Sequence, residues 1–168
     1  QVAGDLRRAR AALYEDKLES PSQALAEWLM LSGGDIVAEP EFLKPMERLY
    51  RRLGDPEGLC RVLEVLPQTL DSLAIDAKLG CYYEAAEVAQ AQLDDGIRAL
   101  RALEAAAEVA PNPLRALNWQ ASILREGHDH RALLEVLEKL TRPGVENSER
   151  LEHLLEKAKI HHELAEYQ

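Results

Sequence analysis

Aromatic residues and cysteines are scarce in this sequence. Aromatics make up 5% of the 168 residues, and Phe occurs once. The only cysteines are Cys60 and Cys81, which are 21 positions apart and form no CxxC motif. This spacing does not support a zinc site or a disulfide framework. We therefore interpret both cysteines as small apolar residues of a buried core.

Long apolar runs and an excess of basic charge are also missing. No stretch approaches the roughly 18 consecutive apolar residues of a membrane span. The net charge is −10, from 20 Lys and Arg against 30 Asp and Glu. Nucleic-acid binding requires a basic stripe on the surface, so this balance argues against a nucleic-acid partner. We expect a cytoplasmic protein with protein or peptide partners.

The first residue is Gln1 rather than Met, and no signal peptide is visible. We interpret the chain as a piece of a longer protein, in which case the absence of targeting signals has no weight.

The sequence contains no motif for catalysis or cofactor binding. Ser122 lies outside any G-x-S-x-G motif. Gly33-Gly34 is not followed by the Gly-Lys-Ser/Thr of a phosphate-binding loop. His128 and His130 could contribute to a metal site only with a third ligand at defined spacing. We therefore predict no enzyme, no cofactor and no metal site.

The most informative stretch runs from Arg48 to Leu66, RLYRRLGDPEGLCRVLEVL. Gly54 suits a left-handed position after a helix because it has no Cβ to clash. Asp55 suits an N-cap, and Pro56 suits the first helical position, where a missing N–H costs nothing. The stretch therefore predicts two helices joined by a tight turn and folded back on each other.

The same signals along the chain predict nine helices and no strand. Their first turns or caps are expected at Val2, Ser20, Glu39, Asp55, Asp71 or Ser72, Asp94 or Asp95, Asn112, Asp129, and Asn147 or Ser148. Pro45 predicts a distortion inside the third helix, where it removes a hydrogen bond. Gly80 inside the fifth helix indicates close approach of another helix.

Apolar residues at helical spacing predict the buried face of each helix. The first helix has Leu6, Ala9, Ala12 and Leu13; the sixth has Ile97, Leu100, Leu103, Ala106 and Val109; the ninth has Leu151, Leu154, Leu155, Ala158 and Leu164.

The predicted turns recur at a regular distance. They lie at Glu19, Gly54, Asp94, Gly127 and Ala165, with spacings of 35, 40, 33 and 38 residues. Two helices per period near 34 residues are typical of a helical solenoid. We divide the chain into units at about 2–34, 39–70, 71–111, 112–144 and 147–168, the last one incomplete.

These units resemble the tetratricopeptide repeat (TPR). Residues on its pattern include Leu43, Met46, Tyr50, Gly54, Leu59 and Leu63 in the second unit, Tyr83, Ala86, Ala99 and Pro111 in the third, and Ala116, Trp119, Gly127 and Ala132 in the fourth. The resemblance implies an all-α, right-handed superhelical α-solenoid of four antiparallel helix pairs plus a final helix. A HEAT- or armadillo-like solenoid is the structural alternative.

The resemblance also implies a concave groove lined by the first helix of each pair. The groove residues would be Lys44, Arg48, Arg51, Glu84, Val88, Leu117, Ala121 and Leu124. We expect a scaffold that binds a peptide or helix there without catalysis, unless these leucines belong to the core. The alternatives are self-assembly into a homodimer or a docking segment of a larger enzyme.

Overall fold

Every regular element in the computed structural model is helical. The structure describes residues 2–71, 74–142 and 149–166, and in this part of the chain it has nine α-helices, one 3-10 helix and no strand. The α-helices are α1 (Val2–Asp16), α2 (Pro21–Leu31), α3 (Pro40–Leu53), α4 (Pro56–Val65), α5 (Ile75–Gln92), α6 (Gly96–Val109), α7 (Leu114–Glu126), α8 (His130–Leu140) and α9 (Arg150–Glu166). The 3-10 helix, Leu66–Thr69, follows α4.

The chain divides into two compact units, which we call unit 1 (Gln1–Ala102) and unit 2 (Leu103–Gln168). In unit 1, successive helices from α1 to α5 pack against each other in chain order. In unit 2, α7 packs on α8 and α8 on α9. Connections of a few residues favour this order because a short loop makes neighbouring helices antiparallel.

Each hairpin turn contains one residue in the left-handed region. These residues are Glu19, Gly54, Asp94 and His128, with φ of 47°, 62°, 53° and 54°. The last of them follows the predicted Gly127 by one position. Left-handed residues lie after a helix because this conformation turns the chain and satisfies the last free carbonyls. Because these four turns lie at positions 19, 54, 94 and 128, helix pairs recur about every 34 to 40 residues.

Side-chain caps begin several helices as the sequence predicts. Asp55 accepts from the backbone N–H of Gly58 at 3.0 Å, and Asp129 accepts from that of Ala132 at 3.0 Å. Asp95 rather than Asp94 caps α6. These carboxylates satisfy amide groups that have no partner within the helix. The predicted caps Ser72, Asn147 and Ser148 lie outside the described residues.

The core of each unit is aliphatic. Fully buried large side chains are Leu43, Met46, Leu49 and Leu63 in unit 1 and Leu103, Leu137 and Leu140 in unit 2. Small residues such as Ala24, Ala86, Ala116 and Ala121 are also completely buried. The scarcity of aromatic residues thus corresponds to helices that meet through Leu and Ala.

The predicted faces of the two terminal helices are wrong. Leu6 and Leu13 of α1 are exposed, whereas Ala11 is fully buried. In α9 the predicted residues Leu151, Leu154, Leu155 and Ala158 are exposed, and His153 and Ile160 on the opposite face are buried. Ile97 of α6 is exposed as well. Periodicity identifies an apolar face, but only the arrangement of the neighbouring helices decides whether that face is covered.

The structure also tests the predictions for Pro45 in α3 and for a turn at Ala165. α3 begins at Pro40 and continues through Pro45, so the helix tolerates this proline in its interior. The turn expected at Ala165 is wrong because α9 is helical through Glu166. The side chain of Leu164 lies outside the described residues.

The close helix approach occurs at Gly58 and not at Gly80. A Cβ atom at Gly58 would overlap the ring of Tyr50, which is buried against α4. A Cβ atom at Gly80 would meet no atom within 4 Å, and Gly80 is exposed on α5. The prediction for Gly80 is therefore wrong.

The two glycines provide a matched pair for a stability measurement. Gly58→Ala should lower the free energy of unfolding by about 1–3 kcal/mol, because the new methyl group forces the Tyr50 ring to move. Gly80→Ala should raise it by about 0.5–1 kcal/mol, because alanine loses less backbone entropy in a helix. Urea denaturation followed by circular dichroism measures both. Equal effects of the two substitutions would contradict the Tyr50 contact.

Candidate functional site

A depression in unit 2 lies between α7 and α9. This α7–α9 groove has a volume of about 880 Å³. All but one of its lining residues are polar or charged. The lining consists of Asn118, Ser122 and Arg125 from α7, Glu149 just before α9, and Glu152, His153, Leu155, Glu156 and Lys159 from α9. The α7 residues share one face because they are four and three positions apart.

An ion pair crosses the groove at one end. The guanidinium of Arg125 donates to both carboxylate oxygens of Glu156, at 2.6 and 2.7 Å. These hydrogen bonds lower the pKa of Glu156, although partial burial acts in the opposite direction. At the other end the Asn118 amide donates to Glu149 at 3.4 Å. The two contacts fix the edges of the groove while leaving its middle open.

Two residues of the groove lining each carry a buried polar atom that has no hydrogen-bond partner among the described residues. The atoms are Oδ1 of Asn118 and Nε2 of His153. His153 is only 5% exposed, and its Nε2 lies 3.6 Å from the Glu149 carboxylate, beyond hydrogen-bond distance. A buried polar atom without a partner costs about 1–3 kcal/mol. These two atoms are therefore suited to contact a bound molecule.

The basic residues expected to bind a partner are paired within unit 1. Arg48 donates to both carboxylate oxygens of Glu15 at 2.6 and 2.9 Å. Arg51 contacts Glu47 at 2.8 Å and Glu84 at 2.7 Å. Lys44 is exposed and makes no ion pair with the described residues. The predicted basic cluster is therefore largely neutralised by carboxylates of α1, α3 and α5.

Two more arginines connect the helices of unit 1 in the same way. Arg8 binds Glu41 at 2.6 Å, 33 positions along the chain. Arg98 binds Glu64 at 2.5 and 3.0 Å and Glu57 at 2.8 Å. Most of these pairs join residues 33 or 34 positions apart, which is one repeat period.

The apolar residues expected in the groove lie in the core. Val88, Leu117 and Leu124 are 3%, 4% and 6% exposed, and Ala121 is fully buried. The core alternative left open by the sequence is therefore the one that the structure shows for these four residues. On α7 the groove is formed instead by the adjacent face with Asn118 and Ser122. That face could have been recognised as the polar stripe beside the apolar one.

Neither cysteine is suited to nucleophilic chemistry. Burial raises the pKa of the Cys60 thiol to about 11, and it also raises the pKa of Cys81. A thiol with a raised pKa stays protonated near neutral pH and is a poor nucleophile. Both cysteines are free in the structure, and their environment agrees with a packing role.

Neither a three-ligand metal cluster nor a membrane-spanning helix occurs within residues 2–71, 74–142 and 149–166. No group of three His, Cys, Asp or Glu side chains is placed to hold a metal ion. No α-helix in these ranges is both long and apolar enough to cross a bilayer.

Comparison with known proteins gives one similar structure to report. No protein-family model matches the chain, and no curated protein matches its sequence. A crystal structure from Podosopora anserina, described as a kinesin light chain with nearly identical TPR-like repeats, is 17% identical. It aligns over 96% of this chain and 87% of that chain, with a TM-score of 0.47.

The helix pairs and turns of the chain itself are those of a repeat. The fold is all-α and TPR-like. Four left-handed turn residues separate its successive antiparallel helices at near-regular intervals. Helical repeats of this kind commonly present extended surfaces to protein partners.

The core position of Leu117 leads to a stability prediction. Leu117→Ala should lower the free energy of unfolding by about 2–5 kcal/mol, because it removes buried methyl groups and leaves a cavity. Leu6→Ala, at an exposed leucine of α1, should change it by less than about 0.5 kcal/mol. Denaturant titration compares them. A Leu117 variant as stable as the wild type would return this residue to the groove.

The Arg125–Glu156 pair leads to a pH prediction. The folded-state pKa of Glu156 lies below its usual value, so the pair stabilises the fold above about pH 4.5 and loses this effect as the pH falls further. Glu156→Gln should cost about 0.5–1 kcal/mol at pH 7 and less at pH 4. Glu152→Gln removes a charge without a described ion pair and is the control. A pH-independent cost for Glu156→Gln would contradict the assignment.

Proposed function

We propose that unit 2 binds a short, extended segment of a partner protein in the α7–α9 groove. The observation that supports this most directly is that two residues of the groove lining each carry a buried polar atom without a partner, Asn118 Oδ1 and His153 Nε2. The groove volume also falls in the range of ligand sites, about 300–1,000 Å³.

The dimensions suit a few residues of extended chain. Asn118 and Arg125 are seven residues apart on α7, which corresponds to about 10 Å at the helical rise of 1.5 Å per residue. An extended peptide rises about 3.3 Å per residue, so roughly three residues fit along this face.

The polar atoms of the groove match those of a peptide backbone. Each peptide residue carries one N–H donor and one carbonyl acceptor. Asn118 Oδ1 can only accept, so it suits a backbone N–H of the ligand. His153 Nε2 either accepts or donates, depending on the tautomer of the ring, and it suits the neighbouring peptide group. Binding would then supply the partners that both buried atoms lack.

The charged residues of the groove favour particular side chains on the bound peptide. Arg125 and Glu156 neutralise each other, which leaves Glu149, Glu152 and Lys159 as the other charged residues of the lining. A ligand with a basic side chain near the two glutamates and an acidic one near Lys159 would complement them. We therefore expect a peptide of mixed charge rather than a strongly acidic one.

A phage-displayed random peptide library, selected on the folded 168-residue chain, tests the proposal. Dissociation constants of the selected peptides are then measured by fluorescence anisotropy. Asn118→Leu should weaken binding about tenfold, because one lost buried hydrogen bond costs about 1–2 kcal/mol. Gln23→Leu, at an exposed position of α2 in unit 1, makes the same kind of change elsewhere and should leave affinity unchanged.

Two results would overturn the proposal. The first is a library selection that yields no peptide with measurable affinity. The second is a set of peptides that bind the Asn118 variant as well as the wild type while circular dichroism shows both to be folded.

A further inference from the structure

α9 exposes an apolar face on the side away from its buried residues, and one edge of this face, at Leu155, borders the α7–α9 groove. His153 and Ile160 are buried, whereas Leu151, Leu154 and Leu155 are 70%, 44% and 56% exposed. With the exposed Ala158, the three leucines form what we call the α9 stripe. Its members lie at positions i, i+3, i+4 and i+7, the spacing of a single helix face, and all four are exposed.

This pattern is typical of a helix that pairs with another helix. Leucines at such spacing form a narrow seam that is filled by the side chains of a facing helix. Exposed leucines scattered singly are ordinary on protein surfaces, but a contiguous group on one face marks an interaction site. The stripe covers about two helical turns, so a partner helix of similar length is sufficient to bury it.

The charges beside the stripe indicate what the partner helix carries. Glu152 and Lys159 are seven residues apart on α9, so both lie on the same flank of the stripe. Both side chains are exposed, and their charges are opposite. When two identical helices pair in antiparallel orientation, the same flank of each helix meets. The midpoint between Glu152 and Lys159 lies beside Leu155, within the stripe itself.

A second copy of the chain fits this arrangement. Turning α9 about that midpoint places Glu152 of each copy opposite Lys159 of the other. Both pairs form at once, and the leucines of the two stripes meet between them. We propose that two copies associate through antiparallel α9 helices, with the stripes in contact and two Glu152–Lys159 pairs at one edge.

The proposed interface is small. Four residues of each copy form its apolar centre, so it belongs below the roughly 1,200–2,000 Å² of standard protein interfaces. We therefore expect a weak, reversible dimer. Its dissociation constant should lie in the range of tens to hundreds of micromolar, as for contacts of limited area.

Sedimentation equilibrium of the 168-residue chain over about 10 μM to 1 mM tests the dimer. Glu152→Lys and Lys159→Glu should each weaken dimerisation about tenfold, since each places like charges opposite each other twice. The double variant, with both charges exchanged, should recover the wild-type constant. High salt should weaken the wild-type dimer moderately because the two pairs are exposed.

Leu154→Gln tests the apolar contact, and Leu6→Gln is its matched control, because Leu6 is an exposed leucine outside α9. The first should abolish detectable dimer, and the second should leave it unchanged. A chain that stays monomeric over the whole range overturns the proposal, and so would a double charge variant that fails to recover dimerisation. Because Glu152, Leu155 and Lys159 also line the α7–α9 groove, peptide binding is tested with the Asn118 variant, which leaves the α9 stripe and its two flanking charges unchanged.

Discussion

The fold depends on a backbone constraint at the hairpin turns. At Glu19, Gly54, Asp94 and His128 the chain adopts a left-handed conformation and reverses its direction. Only Gly54 lacks the Cβ that makes this conformation unfavourable, and each of the other three costs about 1 kcal/mol or more. Burial of Leu and Ala between the helices that the turns bring together offsets that cost. The core and the α7–α9 groove both follow from where these reversals occur.

Charged residues have a larger structural role than their position on the surface suggests. In unit 1, Arg48, Arg51 and Arg98 each contact carboxylates from another helix, and most of the contacts cross one repeat period. In unit 2 the Arg125–Glu156 pair defines one end of the groove. The surface available to a partner consists of the solvent-accessible residues that these ion pairs do not occupy, and it includes Asn118 and the exposed residues of α9.

Local features of the fold could be predicted well from the sequence. The caps at Asp55 and Asp129 and the turn at Gly54 depend on a few adjacent residues, and sequence patterns report such short-range chemistry directly. The all-α class and the repeat spacing follow from the same signals. The start of α3 at Pro40, upstream of Pro45, could also be predicted from the sequence, because proline suits the first turn of a helix.

Features that depend on neighbouring helices could not be predicted from the sequence. The exposure of the α9 leucines and the burial of Leu117 depend on which helix lies beside each face, and periodicity contains no such information. Gly58 and Gly80 look alike in sequence, yet only Gly58 lies under an aromatic ring. Pairing of Arg48 and Arg51 was missed for the same reason, since their carboxylate partners include residues 33 positions away.

The arginine–glutamate pairs of unit 1 also limit how far the hairpins behave as interchangeable modules. The α3–α4 hairpin contributes Arg48 and Arg51, while Glu15 and Glu84 come from the hairpins on either side. Excised or moved to another place in the array, this hairpin would keep its arginines and lose those two carboxylates. A surface that is neutral in its native place would become basic. The order of the hairpins in the array is therefore specified partly by charge, in addition to the fit of their apolar faces.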